Sequence, residues 1–490
     1  MGKFHEQKNT AGFSTIELLI AFSILTLSLT AVILMVFGNQ TFALDSEFDN
    51  HAIYKAGTDI EEAYGMARSN FLMLVNAASV DAEGYSHTRE VTDLTPCVKH
   101  VTAEVGWTAE FNRLQNVMLG TIFTSTTTAA ALGMDCDTTP PSEWENPSSA
   151  TTAEIGGQGA TDIDANNDFL YITSDPSAPG KKDFFIYEFD SSTVTLTERG
   201  NLDTSDGLNA LDMQSGYAYV ANNDTESQLM VIDIGDPLDP EVVATITLPD
   251  TTTGVPRSIF YYDEYVYLGT QYQPCPPSCT PAQNNEFHIY DVSDPTDPEW
   301  RGSYNVNHNI NDIVIRDGYA YLATSDNDGE IHIYDVSDPT SISFVASFNA
   351  NRTGTDTEDA TALFLLGNRL YFGREQTSGS KRDFYILDVT DPAAPVELGS
   401  KKLSLNPGAL VKGIVVRGSL AFVALDNPTS GLTILDIIDP ANISNHSTCA
   451  SYNFPENTTA IDMEQNFVFT ANRSNDEIRV ITDNAAACPL

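Results

Sequence analysis

Basic residues are scarce in this chain of 490 residues: 24 Lys and Arg stand against 68 Asp and Glu, a formal net charge of −44. A surface of that sign repels phosphate backbones and anionic headgroups, which excludes nucleic acid bound through a basic patch. Charged residues are still only 19% of the chain and apolar residues 41%, so it is not an acidic disordered tail but a folded body. The length points to two or three domains. Catalytic signatures are missing: there is no G-x-S-x-G elbow, no H-E-x-x-H pair and no phosphate-cradling loop. Cysteine is sparse. The six are Cys97, Cys136, Cys275, Cys279, Cys449 and Cys488, an even number that suits disulfides outside the cytoplasm. Only Cys275 and Cys279 are closely spaced, and no second close pair completes a tetrahedral metal site.

Long apolar runs are absent with one exception. Gly12 to Phe37 reads GFSTIELLIAFSILTLSLTAVILMVF, with Glu17 as its one charge. The uncharged part, Leu18 to Phe37, would make a helix of roughly 30 Å, the thickness of a bilayer's hydrocarbon core. A secretory signal is cut after its apolar region, at a small-residue site. Here the small pair, Ala11-Gly12, comes before it, and the sequence beyond, GNQTFALDSEF, offers no such site. Cleavage after Gly12 would remove a polar leader, 1–12, and leave 13–37 as a membrane span.

GFSTIELL resembles the type IV prepilin signature: Gly12 before the cut, Phe13 as the new first residue, Glu17 at the fifth mature position. The resemblance implies cleavage and N-methylation by a prepilin peptidase, storage in the inner membrane, and assembly with other pilin subunits into a filament at the cell surface. Glu17 would be stabilised in hydrocarbon by a neighbouring subunit's free amine. An amphipathic pattern follows: Leu44, Phe48, Ala52, Ala56, Ile60, Ala63, Ala67, Phe71 and Leu74 recur at three- and four-residue steps. Together these predict one long pilin-type helix over 13–78. A small α+β head over 79–136 is expected next, with strands at Cys97–Trp107 and Asn116–Ser125, its ends stapled by Cys97 and Cys136. The Pro, Ser and Thr of 137–151 read as a linker.

The remaining chain repeats itself. VIDIGDPLDP, IYDVSDPTDP, IYDVSDPTSI, ILDVTDPAAP and ILDIIDPANI each follow an aromatic strand such as YVYLG or YAYLA. With two degenerate copies, the equivalent residues Glu188, Asp233, Asp291, Asp335, Asp388, Asp436 and Thr482 lie 45, 58, 44, 53, 48 and 46 residues apart. Four short strands per unit is the blade of a β-propeller. The turns, best seen in Asp291–Pro298, resemble the LVIVD repeat family. The fold expected is therefore multidomain: a long N-terminal pilin-type α-helix with a small α+β head, then an all-β seven-bladed propeller over 152–490. The last copy lacks an outer strand, and TAEIGG, 152–157, is expected to supply it. A Cys449–Cys488 bridge would pin the C-terminal tail, and Cys275–Cys279 would pinch a loop.

The repeated Asp of IYDVSDP reads as a turn cap, since a group present in every blade serves the fold. His288 and His332 read as half-exposed strand positions. Two features break the repeat. The insertion Gln271–Asn285 is a candidate contact loop, and Asp326, Asp328 and Glu330 in SDNDGE are a candidate Ca²⁺ site, the one cofactor considered. The sequons at Asn351 and Asn442 decide nothing without knowledge of the host. The expected function is a non-enzymatic surface protein: a minor or tip pilin-like subunit displaying a propeller that recognises a surface ligand. The alternatives are a pseudopilin of a secretion or DNA-uptake machine and a tethered extracytoplasmic enzyme.

Overall fold

Period-two alternation becomes strand from Ala77 to Asp483. The computed structural model describes residues 26–27, 51–124 and 144–483, with internal breaks of which the longer are 275–283, 351–357, 376–381 and 404–408. The chain forms two compact units, Met1–Thr128 and Ala129–Leu490.

In the first unit a helix, α1 (51–67), is followed by β1 (Ala77–Val80), β2 (Ser86–Thr95), β3 (Val98–Ala109) and β4 (Arg113–Thr124), an antiparallel sheet in sequential order. Ala52, Ala56 and Ala63 put one stripe of α1 fully inside, against Tyr85, Val101, Val105, Trp107 and Phe123. Small side chains at that spacing let the helix backbone approach the sheet closely.

The pilin-type plan is overturned here. Among the described residues the one α-helix longer than two residues is 51–67, and the chain is already in strand at Ala77, where a helix was expected to run to Ala78. The described chain is nearly all β, and the described part of the unit is a four-stranded sheet with the helix 51–67, not a long helix carrying a small α+β head. Phe71 and Leu74 continue the helical spacing and are buried, but they reach the core from outside α1. The amide oxygen of Asn76 takes the Val91 N–H at 2.7 Å and so ties the chain entering β1 to β2. Gly12, Phe13, Glu17 and the rest of 13–37 except Thr26 and Leu27 lie outside the described residues. No described helix is long and apolar enough to cross a membrane.

The second unit holds seven antiparallel sheets, blades I to VII. Their innermost strands are Ala160–Asn166, Leu208–Gln214, Pro256–Tyr262, Ile310–Arg316, Ala360–Leu366, Val411–Arg417 and Thr458–Glu464. Each packs on the next, and the seventh packs on the first, which closes a ring. Among the described residues, each pair of neighbouring blades encloses its own apolar cluster, including one between blades VII and I around Ile163, Phe185, Phe469 and Val480. Stability is therefore shared among blade-to-blade contacts, and a ring with one open joint loses two blade faces at once.

The joint is closed by an N-terminal strand, but not the expected one. β5, Pro147–Ala153, pairs with Ile478–Asp483 from Pro147↔Asp483 to Ala153↔Ile478. The expected 152–157 lies five residues too late, and 147–151 of the proposed linker is strand. Two things set the register. Trp144, 1% exposed, wedges edge-to-face on Phe422 at 5.0 Å, and its indole N–H donates to Asn466 Oδ1 at 3.0 Å. Gly156, at φ 95°, turns the chain out of the sheet. Replacing 147–153 by Gly-Ser repeats of equal length should lower the melting temperature by about 10 °C, because flexible glycines forfeit ordering at each position. The bare edge should also self-associate, which light scattering would detect.

The two faces of the ring differ. On one, two-residue hairpins join first to second strands, as at Asp317 and Gly318 (φ 52° and 78°). The D-P turns lie on the same face. There Asp291, Asp335 and Asp388 each accept the N–H two residues on, at 2.8–3.0 Å, and Ser or Thr hydroxyl donors hold their carboxyls below the usual range. These are turn caps, as the repeat implied. The D-P turn of one blade also meets the outer strand of the blade before it. A Cβ on Gly399 would lie 1.7 Å from Pro440 O, so only glycine fits. The other face carries the longer connections.

Candidate functional site

The innermost strands line the axis, and each carries a β-bulge at the same place. The pairing slips between Ala160 and Asp162, Leu208 and Ala210, Pro256 and Ser258, Ile310 and Asp312, Ala360 and Ala362, Val411 and Gly413, and Thr458 and Ala460. A bulge inserts one residue and re-aims its side chain. The inserted residues are Thr161, Asn209, Arg257, Asn311, Thr361, Lys412 and Thr459. They stand near the start of each innermost strand, at the long-loop end of the axis.

Five of them bind the next blade. Thr161 Oγ1 donates to Leu208 O at 2.6 Å, Asn209 Nδ2 to Pro256 O at 2.6 Å, Asn311 Nδ2 to Ala360 O at 2.8 Å, Thr361 Oγ1 to Val411 O at 2.6 Å, and Thr459 Oγ1 to Ala160 O at 2.8 Å. The exceptions are Arg257 in blade III and Lys412 in blade VI. Among the described residues Arg257 reaches only Asn311 Oδ1, at 3.3 Å. Lys412 Nζ has no hydrogen-bond or ion-pair partner among the described residues.

Deeper along the axis sits a set of aspartates. Asp162 takes its own neighbour's N–H from Ile163 at 2.9 Å and the N–H of Leu211 in the next blade at 2.9 Å. Asp212 does the same with Met213 and Tyr261, and Asp312 with Ile313 and Leu363. Asp462 takes the N–H of Ala165 at 2.7 Å. Burial pushes Asp162, Asp212 and Asp312 up to about 7, against the pull of those N–H donors. Asp164 is driven well above the usual range by burial and then by the Asp462 charge. These carboxylates stitch blade to blade.

A third repeated position escaped the sequence reading. The residue just before each third strand is an acid or amide in six blades: Asp183, Gln228, Glu286, Glu330, Asp383 and Glu477. All are buried, and each accepts a backbone N–H beyond its own blade's outer strand, as Glu286 does from Val306 at 2.8 Å and Glu330 from Ala350 at 2.8 Å. Lining up NNEFHIYD, DGEIHIYD and NDEIRVIT would have exposed it.

That position bears on the Ca²⁺ candidate, because Glu330 is one of its three carboxylates. Glu330 is 0% exposed, and its other oxygen pairs with Arg374 of blade V at 3.0 Å. Asp326 takes the Asp328 N–H at 2.9 Å and faces His332 Nε2 at 3.0 Å, while Asp328 is exposed. The three carboxylates serve different partners. Among the described residues, no group of three or more His, Cys, Asp or Glu is placed to hold a metal ion. His288 and His332 are corrected: both are buried, at 0% and 7% exposure. Burial pushes His288 down to about 4, and burial lowers His332 against the pull of Asp326.

Most of the insertion loop, 275–283, lies outside the described residues together with Cys275 and Cys279. Tyr272, at its start, donates its N–H to Asn309 Oδ1 at 3.0 Å. Cys449 is disulfide-bonded. Cys97, Cys136 and Cys488 lie outside the described residues. A shallow groove at Ala350, Glu397, Leu398 and Gly399 lies by the outer strand of blade V, away from the axis, and gathers one carboxylate only.

The LVIVD repeat family matches residues 211–247, 281–306, 309–350 and 409–451. The chain thus carries LVIVD repeats on a β-propeller-like all-β fold. No curated protein matches its sequence. Among solved structures it is similar to BamB from Moraxella catarrhalis (12% identity, covering 68% of this chain and 85% of that one, TM-score 0.41). It is similar to a putative 6-phosphogluconolactonase from Bacteroides fragilis (12%, 72% and 91%, TM-score 0.45). A chain of the mitotic checkpoint complex is a third such structure (10%, 69% and 92%, TM-score 0.49). Likeness at this level carries no argument about function.

Proposed function

We propose that this chain is a non-enzymatic recognition protein that displays an LVIVD-repeat propeller outside the cytoplasm, carried on a prepilin-like N-terminus as a minor or tip component of a type IV filament. The observation that carries the recognition half is the one-sidedness of the ring. Tight hairpins and D-P turns close one face, whereas the opposite face bears all the long and unequal connections, such as 271–286 between Thr270 and Phe287. Variable loops on a rigid scaffold are where binding is usually built. The axial carboxylates Asp162, Asp212, Asp312 and Asp462 support the same reading, because each is engaged by a backbone N–H group of the next blade. The filament half rests on Gly12, Phe13 and Glu17. A ring on every subunit would crowd a narrow fibre, which favours a minor component. Mass spectrometry of the mature chain from its native host should find an N-methylated Phe13 as first residue. A chain that still begins at Met1, or that has lost 13–37, would end the filament reading.

A further inference from the structure

Two of the seven bulge residues do not do what the other five do. Thr and Asn at this position tie each blade to the next carbonyl, and a neutral side chain suffices for it. Blades III and VI carry Arg257 and Lys412 instead, in a chain with 24 basic residues against 68 acidic ones. Counter-ions are therefore plentiful, yet neither cation has a carboxylate within ion-pairing distance among the described residues. Among the described residues Arg257 uses one N–H, toward Asn311, and the remaining donors of its guanidinium fork have no partner there.

The two come from distant blades of the ring but hold the same bulge position, at the same end of the axis. The charge of Arg257 acts on Lys412, together with that of Arg473, and burial is the first cause that lowers the Lys412 ammonium. The carboxylates that act on the pair have other neighbours. Asp426, which acts on Lys412, lies 3.7 Å from Arg473. Asp359, on which Arg257 acts, is raised by burial and then by Glu375. An ammonium held part-buried beside a guanidinium, without a partner, is costly unless something anionic comes to it.

We propose that the mouth of the axis on the long-loop face binds the oxyanion group of a small ligand, phosphate or carboxylate in kind, between Arg257 and Lys412. The guanidinium fork grips two oxygens of the group, and the ammonium supplies a point charge from the other side. Asn311 orients the guanidinium through its Oδ1 while its Nδ2 stays on Ala360 O. The inference names the ligand chemistry of the recognition face proposed above. It is independent of the N-terminal anchor, which the mature N-terminus tests separately.

The test is titration calorimetry on the full-length chain in neutral detergent, with sodium phosphate, sulfate or succinate against sodium chloride at matched ionic strength, since screening alone weakens charge contacts. Saturable heat is expected for phosphate or succinate, and which of the two binds tighter identifies the oxyanion. Arg257→Gln and Lys412→Gln should each weaken it by at least about tenfold, the loss of a charge-assisted hydrogen bond. Lys412→Arg keeps the charge, and with it the binding and the wild-type melting temperature, whereas Arg257→Lys keeps the charge but not the fork and should weaken the binding. No saturable heat with any of the three anions sinks the proposal. So does undiminished affinity in the Arg257→Gln, Lys412→Gln double variant, or a well-folded Lys412→Arg that no longer binds.

Discussion

Arg374→Met should lower the stability of the ring by about 3–5 kcal/mol, the cost of leaving a buried charge without its partner. Arg374 and Glu330 are 1% and 0% exposed and 3.0 Å apart, across the joint between blades IV and V. Arg374 Nε also donates to Arg382 O at 2.7 Å, and its guanidinium lies 5.4 Å from the Tyr385 ring centre. Removing it takes the guanidinium away from the buried Glu330 carboxylate, which also accepts the Ala350 N–H. Changing Glu330 to Gln in the same molecule should restore most of the loss, because Gln still accepts that N–H and carries no charge. Arg473→Met provides the scale. Its pair with Asp426 is 3.7 Å long and Arg473 is 57% exposed, so less than about 1 kcal/mol is expected. Guanidinium unfolding of the full-length chain measures all three. If Arg374→Met unfolds within about 1 kcal/mol of wild type, the pair does not hold the joint.

Asp312→Asn should stabilise the protein at pH 8 by about 1–2 kcal/mol while changing little at pH 5. A carboxyl whose folded pKa lies above its unfolded value binds more protons folded than unfolded. Asp312 rises from 3.8 to about 7 by burial. Its contribution is complete below pH about 4, declines as pH rises, and is gone above about 7. Asn does not titrate, and it keeps one acceptor oxygen, while its NH2 cannot accept the second N–H. The two N–H donors from Ile313 and Leu363 favour the carboxylate and keep the effect modest. His288 works in the opposite sense. Burial takes it from 6.5 to about 4, so its share is lost as pH falls from 6.5 toward 4. Comparing the variant with wild type cancels that term. Melting curves at pH 5, 6.5 and 8 give the answer, and a variant less stable than wild type at pH 8 would mean the axial carboxylate is ionised and content.

Much of the ring was legible because its signals are local. D-P steps, two-residue turns and aromatic alternation need no partner to be read, and they gave four strands in each copy, with only the outer strand of the last misplaced. The candidate site was legible only in part. Asp326, Asp328 and Glu330 sit close together in sequence, and closeness suggested a shared cation. The repeat itself held the contrary sign, since Glu286, Asp383 and Glu477 occupy Glu330's place. The bulge ring left no comparable trace, because Thr161, Asn209, Arg257 and Lys412 share a geometry and not a residue type.

The sequence alone determined the sevenfold count, the four-strand unit, the capping role of the turn aspartates and the acidic surface, all set by spacing and chemistry within a few residues. Tertiary structure decided that the chain is in strand by Ala77, which segment closes blade VII, what Glu330 faces, and that Arg257 and Lys412 share the bulge position of the innermost strands. Each of these depends on residues far apart in the chain. The pairing of Pro147 with Asp483 is chosen by the wedge of Trp144 between blades and not by the strand propensity of either segment.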